Sequence, residues 1–523
     1  MSNFTQFLFG PSTPKTRRIL AAIIVLGLLV RLMASYLQPP FHDEAFVYYT
    51  TKAGWQQLIY ALKIDTHPPT FNLLLYPLIQ ASSDFLVLRL PQVLLSLLSL
   101  LLSFRLWRRV LSENCALTLC AISALSSSIW ITDAQLRHYG PLTFCYLLVW
   151  LGLLDIHETA RPYASLGPKR ARLSWMIFAG ACLIGASLHV MGALSMLCCA
   201  LWAWRLPKAR RPALACLLLA IVPLGAWFAW ARLTCDFTFP EQATGLKASD
   251  WGALLNCPRH MLGGDFETWI SLAAPDIRQI LMPAAQVIGD ILSAIIWVVM
   301  LYGWRQMRLK HSAYGDLCSL NLLPLLAIIV ASSLGLGARF QVRYCLPFSA
   351  LMLALISAGL TSPKWRRALA SLVLITASII TALFPSSPAL WNQYWGDTLQ
   401  FLAEQRRPND LIAIYIPYSG YSLAYAYDRE HVSFRYHPHY IAELVQTPSP
   451  DKCPLLMLSD DMLNDELLRD LRGYRICLVV CQPELGRYEK VLQWLQQNYK
   501  LSAEHHFLSV YRWADIDTYI WEK

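Results

Sequence analysis

Apolar windows of about 20 residues recur through the first three quarters of this chain, the length a helix needs to cross the hydrocarbon of a bilayer. They read as eleven spans: 18–37, 85–106, 114–132, 140–156, 173–188, 190–204, 213–232, 280–302, 318–336, 344–361 and 368–384. With 56% hydrophobic and 15% charged residues over 523 positions and a mean hydropathy of +0.39, the chain is too apolar for an ordinary soluble enzyme. The expected fold is therefore an α-helical integral membrane protein of about eleven transmembrane helices plus interfacial helices. From Pro385 onward the text changes. Strand-like LIAIYI, PLLMLSD and ICLVVCQ alternate with helix-like GDTLQFLAEQ, DMLNDELLRDL and RYEKVLQWLQQNY, closing on FLSVYRW. That pattern divides the chain into a transmembrane domain, 1–384, and an extracytoplasmic α/β domain, 385–523. No Gly-rich loop follows the first of these strands, so acceptor binding or a lid suits the second domain better than a nucleotide site.

Charge orients the spans. Lys15, Arg17 and Arg18, then Arg105, Arg108 and Arg109, then Arg305, Arg308 and Lys310, then Lys364, Arg366 and Arg367 fall on alternate loops, and short basic loops stay in the cytoplasm. SWMIFAGACLIGASLHVMGALSMLCCALWAW could be one overlong helix or two short passes meeting near His189; basic residues at both its ends favour two. The N-terminus is then cytoplasmic and the second domain exterior, in a multi-pass protein of the cell (inner) membrane. The first apolar run reads as a retained signal anchor. The net charge of +10 is mostly a consequence of topology, and without a basic patch interleaved with aromatics, nucleic acid is set aside as a partner. Of 14 cysteines, Cys235, Cys257, Cys453, Cys477 and Cys481 face outward, where Cys235 with Cys257, and Cys453 with Cys477 or Cys481, are candidate bridges.

The outward loops carry the polar chemistry. FHDEAF places Asp43 beside Glu44 directly after the first span, and an amphipathic segment over 47–62 follows, suited to a helix lying at the interface. In THPP, Pro68 and Pro69 can begin a helix but not continue one, which would hold His67 at a fixed turn. A further loop carries DAQLRHYGPL, and RFQVRY precedes the span RYCLPFSALMLAL.

Taken in order, HDEAF, THPPTFNLLL, DAQLRHYGPL, the His189 of SLHVMG and RYCLPFSALMLAL resemble the C-type glycosyltransferases related to protein O-mannosyltransferases and aminoarabinose transferases. The resemblance implies transfer of a sugar from a polyprenyl-phosphate carrier to an extracytoplasmic acceptor, a cell-envelope glycan, a lipid or a protein. It implies that Asp43 is the catalytic base, with Glu44 orienting substrate or helping to bind a cation. Arg343 with Tyr344 matches the family's Arg-Tyr, Arg339 lies four residues earlier, and Arg137 with Tyr139 matches its Arg-x-Tyr. His67, Asp133 and His189 complete the substrate-binding candidates. A divalent metal ion held by Glu44 with His67 or His189 is the one cofactor the pattern allows for. Two departures stand out: Gln135 where many relatives carry an acid, and Val190 where many follow the histidine with tyrosine.

The chemistry suits these residue types by itself. A sugar on a lipid phosphate already has a good leaving group, so one carboxylate deprotonating the acceptor hydroxyl can drive an inverting displacement. The departing phosphate needs positive charge, and the arginine fork can take two of its oxygens at once. Two rival classes remain, a transporter or flippase of lipid-linked sugars and a membrane scaffold. A transporter calls for internal repeats and charges within its spans, and a scaffold has no need of Asp-Glu, Arg-x-Tyr and Arg-Tyr on one side.

Overall fold

The computed structural model describes residues 13–64, 67–159, 168–205, 210–234, 250–262, 275–333, 342–360, 362–384, 395–405, 407, 410–415, 423, 455–458, 474–481, 488–507 and 516–522. Helix α1 (Pro14–Leu37) starts under Thr13, whose hydroxyl accepts from the Thr16 N–H at 3.2 Å, with proline in the first turn. Three short helices follow: α2 (His42–Lys52), α3 (Trp55–Ile64) and α4 (Thr70–Ala81). The single helix expected over 47–62 is broken between α2 and α3 because Gly54 takes φ 103°, a left-handed stop that any side chain would resist. The prolines of THPP do start a helix, α4, whose N-cap is Pro69.

Helix α5 (Phe85–Trp107) is capped by Asp84, which accepts from the Leu86 N–H at 2.9 Å. Helices α6 (Glu113–Leu125) and α7 (Ser127–Asp133) meet at Ser126 with a 61° bend. A break in a membrane span strands the last carbonyls of the first half, and hydrocarbon offers them nothing. Here each has a donor. Ile122 O takes the Ser126 N–H, Leu125 O takes Trp130 Nε1, and Ser123 O and Ala124 O take the Arg31 guanidinium at 3.4 and 3.1 Å. Arg31 lies in α1, fully buried, and also holds Asp133 at 2.8 Å, so one guanidinium ties both halves of the broken span to the first helix.

The chain continues through α8 (Tyr139–Thr159), α9 (Pro168–Leu188), α10 (Val190–Trp204), α11 (Arg210–Thr234), α12 (Asp250–Met261), α13 (Pro275–Lys310) and α14 (Ser312–Ser333). A 3₁₀ turn, Val342–Phe348, leads into α15 (Ser349–Gly359), and α16 (Pro363–Leu383) follows. Helices α9 and α10 are separate and fold back at His189, bringing the Gly185 carbonyl so close to Gly192 that a Cβ there would collide with it. By length and composition, five described helical segments can cross a membrane: α1, α5, Tyr139–Glu158 of α8, Pro283–Lys310 of α13, and α16. Counting the α6–α7 pair as one span makes six, fewer than the eleven expected. The apolar parts of α9, α10 and the Tyr344–Gly359 segment are shorter, because the chain breaks at His189 and tightens into a 3₁₀ turn before α15.

Ion pairs show which helix ends meet. Arg109, after α5, pairs with Asp155 near the end of α8 at 2.8 Å, whereas Arg89 near the start of α5 pairs with Glu44. Helices α5 and α8 therefore run parallel, α1 opposes them, and the basic residues 15–18 and 105–109 gather at the end remote from FHDEAF.

The C-terminal part contains a five-stranded mixed sheet of order β2–β1–β3–β5–β4. Strand β1 (Leu411–Tyr415) is parallel to β2 (Leu455–Leu458) and β3 (Ile476–Cys481), and β5 (Ile516–Glu522) is antiparallel to β3 and to β4 (Lys500–Phe507). Alternate residues of β1 and β3 enter two cores, one closed by Trp395 and Leu402 of α17 (Trp395–Gln405) and the other by Val491 and Leu495 of α18 (Glu489–Asn498). A strand covered on both faces has no polar side to alternate with, which is why LIAIY and ICLVVC are continuously apolar. Of the closing strand expected over 507–513, Phe507 ends β4 and the remaining positions lie outside the described residues, as does the expected helix over 461–471.

Candidate active site

The two carboxylates of FHDEAF have different surroundings. Glu44, at the third position of α2, reaches back to the Phe41 N–H at 2.9 Å, as the acid of a capping box does. The same carboxylate takes Arg89 Nε at 2.9 Å and a terminal guanidinium nitrogen at 2.7 Å, a two-point contact, and accepts from the Leu136 N–H as well. Arg89 in turn donates to the Ser35 and Gln38 carbonyls at 2.8 and 2.9 Å. Glu44 is 1% exposed and thus a knot joining α1, α2, α5 and the turn before α8. Asp43 is the accessible one. Its side chain is 21% exposed, and its Oδ2 lies 3.3 Å from the Arg137 guanidinium.

Asp133 ends α7 with its Oδ2 on Arg31 and in a short hydrogen bond with Ser96. Residues 134–138 then fold inward, so that Arg137, His138 and Tyr139 are all buried. The His138 ring stands 4.7 Å from His67, 4.6 Å from His189 and 4.5 Å from Tyr139, centroid to centroid. His67 and His189 are 5.1 Å apart, and Tyr344 lies 5.3 Å from His189. Five ring side chains from four separated stretches thus converge beside the Asp43–Arg137 pair, which the turn 134–138 joins to them. Arg339 lies outside the described residues, and of Arg343 only the backbone is described, in the 3₁₀ turn one position before Tyr344.

Side-chain nitrogens of His67, His138 and His189 all lie within 4.8 Å of one another, a grouping that could hold a metal ion. Two features of the donor set disagree with that use. Glu44, expected as a ligand, has its oxygens engaged by Arg89, Phe41 and Leu136. His189 is the N-cap of α10, and its Nδ1 accepts the Met191 N–H at 3.0 Å, so the neutral ring carries its proton on Nε2. A metal on that Nε2 would take the proton's place and force the cap to break. The cluster as built offers His189 as an N–H donor, which suits a phosphate or hydroxyl oxygen.

His189→Asn tests this dual duty. Asparagine is a strong N-cap and can accept the same backbone N–H. The Asn variant is expected to melt within about 2 °C of wild type while losing at least ~10-fold in activity, as removal of one positioned group commonly does. His189→Ala should lose both cap and activity, and a thermal melt beside an activity assay separates the two.

Three participants were not singled out by motif. Arg31 and Arg89 had a signal, since each is a charge inside an apolar window, where burial demands a partner. His138 had a weaker one, as the central residue of Arg137-His138-Tyr139.

No protein-family model matches the chain, and no curated protein does. Among solved structures it is similar to ArnT of Cupriavidus metallidurans bound to undecaprenyl phosphate, at 12% identity over 95% of this chain and 97% of that one, with a TM-score of 0.44. It is similar also to the Archaeoglobus fulgidus oligosaccharyltransferase in complex with zinc and sulfate, at 12% identity over 94% and 72% of the two chains and a TM-score of 0.45. A third is the Saccharomyces cerevisiae protein O-mannosyltransferase Pmt1–Pmt2 complex bound to the sugar donor, at 17% identity over 50% of this chain and 38% of that one, with a TM-score of 0.33.

Proposed function

We propose that the chain is a membrane glycosyltransferase that moves a sugar from a polyprenyl-phosphate carrier to an acceptor outside the cytoplasm, with inversion at the anomeric carbon. The observation that carries this reading is the pairing of an accessible carboxylate, Asp43, with Arg137 beside a converging group of histidines and tyrosines, at the helix ends remote from the basic residues. Asp43 takes the proton of the acceptor hydroxyl as its oxygen attacks the anomeric carbon. The bond from that carbon to the carrier phosphate breaks, and the phosphate oxygen leaves with the electron pair. Arg343 and the His189 N–H meet the charge that develops on the phosphate. Glu44 acts through Arg89 and the backbone, holding the first turn of α2, which carries Asp43. The site faces the exterior, the N-terminus is cytoplasmic, and residues 385–523 form an exterior domain that contributes to acceptor binding.

The test is transfer of a labelled sugar from polyprenyl phosphate by purified protein, together with mass spectrometry of surface glycans from a deletion strain. Transfer in the first and loss of a single sugar in the second are expected. Arg343→Ala should weaken donor binding and turnover severely, and Arg343→Lys, which keeps the charge but not the fork, should restore only part. A chain that moves no label but carries the intact lipid-linked sugar across vesicles would be a transporter. Donor binding and turnover near wild type in Arg343→Ala would make that residue a membrane anchor.

A further inference from the structure

Of the bridges expected, Cys235 and Cys453 lie outside the described residues, and among the described residues the fold brings Cys257 to another cysteine. Cys257 stands on α12 and Cys345 in the 3₁₀ turn; both are fully buried, and their sulfurs are 2.7 Å apart. Residues on either side, Leu254 and Met261 of α12 and Leu346 and Phe348 of the turn, belong to one apolar core, so the two elements are held together independently of the sulfurs. An S–S bond of about 2.05 Å needs a sulfur shift of under about 1 Å.

We infer that Cys257 and Cys345 are joined by a disulfide in the working protein and that this bond fixes the Arg343–Tyr344 turn against the histidine cluster. Tyr344 immediately precedes Cys345, and its ring lies 5.3 Å from His189. The inference rests on the proposed outward-facing site, because disulfides form and persist in oxidising exterior compartments. During folding, before α12 packs on the turn, the thiolate of one cysteine attacks a disulfide-bearing thiol oxidant and displaces one of its sulfurs. The second cysteine then attacks the mixed disulfide and displaces the other. The protein gains one S–S bond, and the oxidant takes two electrons and two protons to become a dithiol.

Protein from membranes is alkylated, denatured and digested without reductant. A linked peptide pair containing Cys257 and Cys345 is expected, two hydrogens lighter than the sum of its parts. Dithiothreitol should lower the apparent Tm of the wild type by about 5 °C or more and leave a Cys257→Ala/Cys345→Ala double variant unchanged. A positioning role predicts that the folded double variant has a KM for the polyprenyl-phosphate sugar raised several-fold, with the acceptor KM unchanged. Recovery of both cysteines as alkylated thiols overturns the inference, and two further measurements locate the failure. If oxidised glutathione links the pair in purified protein first loosened with denaturant, and a C-terminal alkaline phosphatase fusion is inactive in cells, the outward-facing reading is what fails. If the pair stays unlinked under that treatment while the fusion is active, the outward reading stands and the pairing is wrong.

Discussion

Asp43→Asn is expected to leave the protein folded and to slow sugar transfer at least about a hundredfold, since positioned proton transfer contributes typically ~10²- to 10⁴-fold. The substitution keeps the size of the side chain and an oxygen that can face Arg137, and the Asp43 side chain is 21% exposed, so little of the fold depends on its charge. Turnover of labelled polyprenyl-phosphate sugar measures the effect, with the size-exclusion profile and thermal melt reporting folding. A folded Asp43→Asn variant that transfers at more than a few tenths of the wild-type rate would remove Asp43 as the base and turn attention to the histidines.

Glu44→Gln is expected to do the opposite: a large loss of stability and a smaller loss of rate per folded molecule. The Arg89 guanidinium is fully buried, and Glu44 is the carboxylate facing it at 2.7 Å. Breaking such a pair from one side costs about 3–5 kcal/mol, because the remaining charge stays buried without compensation. Low yield and a melting temperature lowered by roughly 5 °C are the expected readouts. Removing both charges in Glu44→Gln/Arg89→Met should recover part of the loss, as double-mutant logic requires when the cost is an orphaned charge. If Glu44→Gln instead melts within a degree or two of wild type and abolishes transfer, Glu44 belongs to the chemistry.

These two neighbours show how far the sequence reaches. Asp43 and Glu44 are one residue apart in the same short motif, and local text treats them as a pair. Their division of labour depends on where α5 and the 134–138 turn arrive, 45 and 92 residues along the chain from Glu44, and no local pattern encodes that meeting. The same holds for His138. As the unnamed position of Arg-x-Tyr it has no local distinction, yet packing puts it between His67 and His189.

What the sequence determined by itself follows from short-range physics. Apolar windows set where helices stand, because a backbone in lipid must satisfy its own hydrogen bonds. The prolines before Thr70 placed a helix start, and LIAIY, LLML and ICLVVC gave three strands of the sheet in their right places. Periodicity did not reveal where helices break, since a break is set by one residue and by whatever satisfies the exposed carbonyls. Gly54 ends α2 through a backbone angle open mainly to glycine, whereas the bend at Ser126 has its last carbonyls bonded by Arg31 of α1 and Trp130 of α7. Tertiary structure alone decided that Cys257 meets Cys345 and that Glu44 is held by Arg89. Contacts across 88 and 45 residues depend on how helices pack, and packing is a property of the whole core.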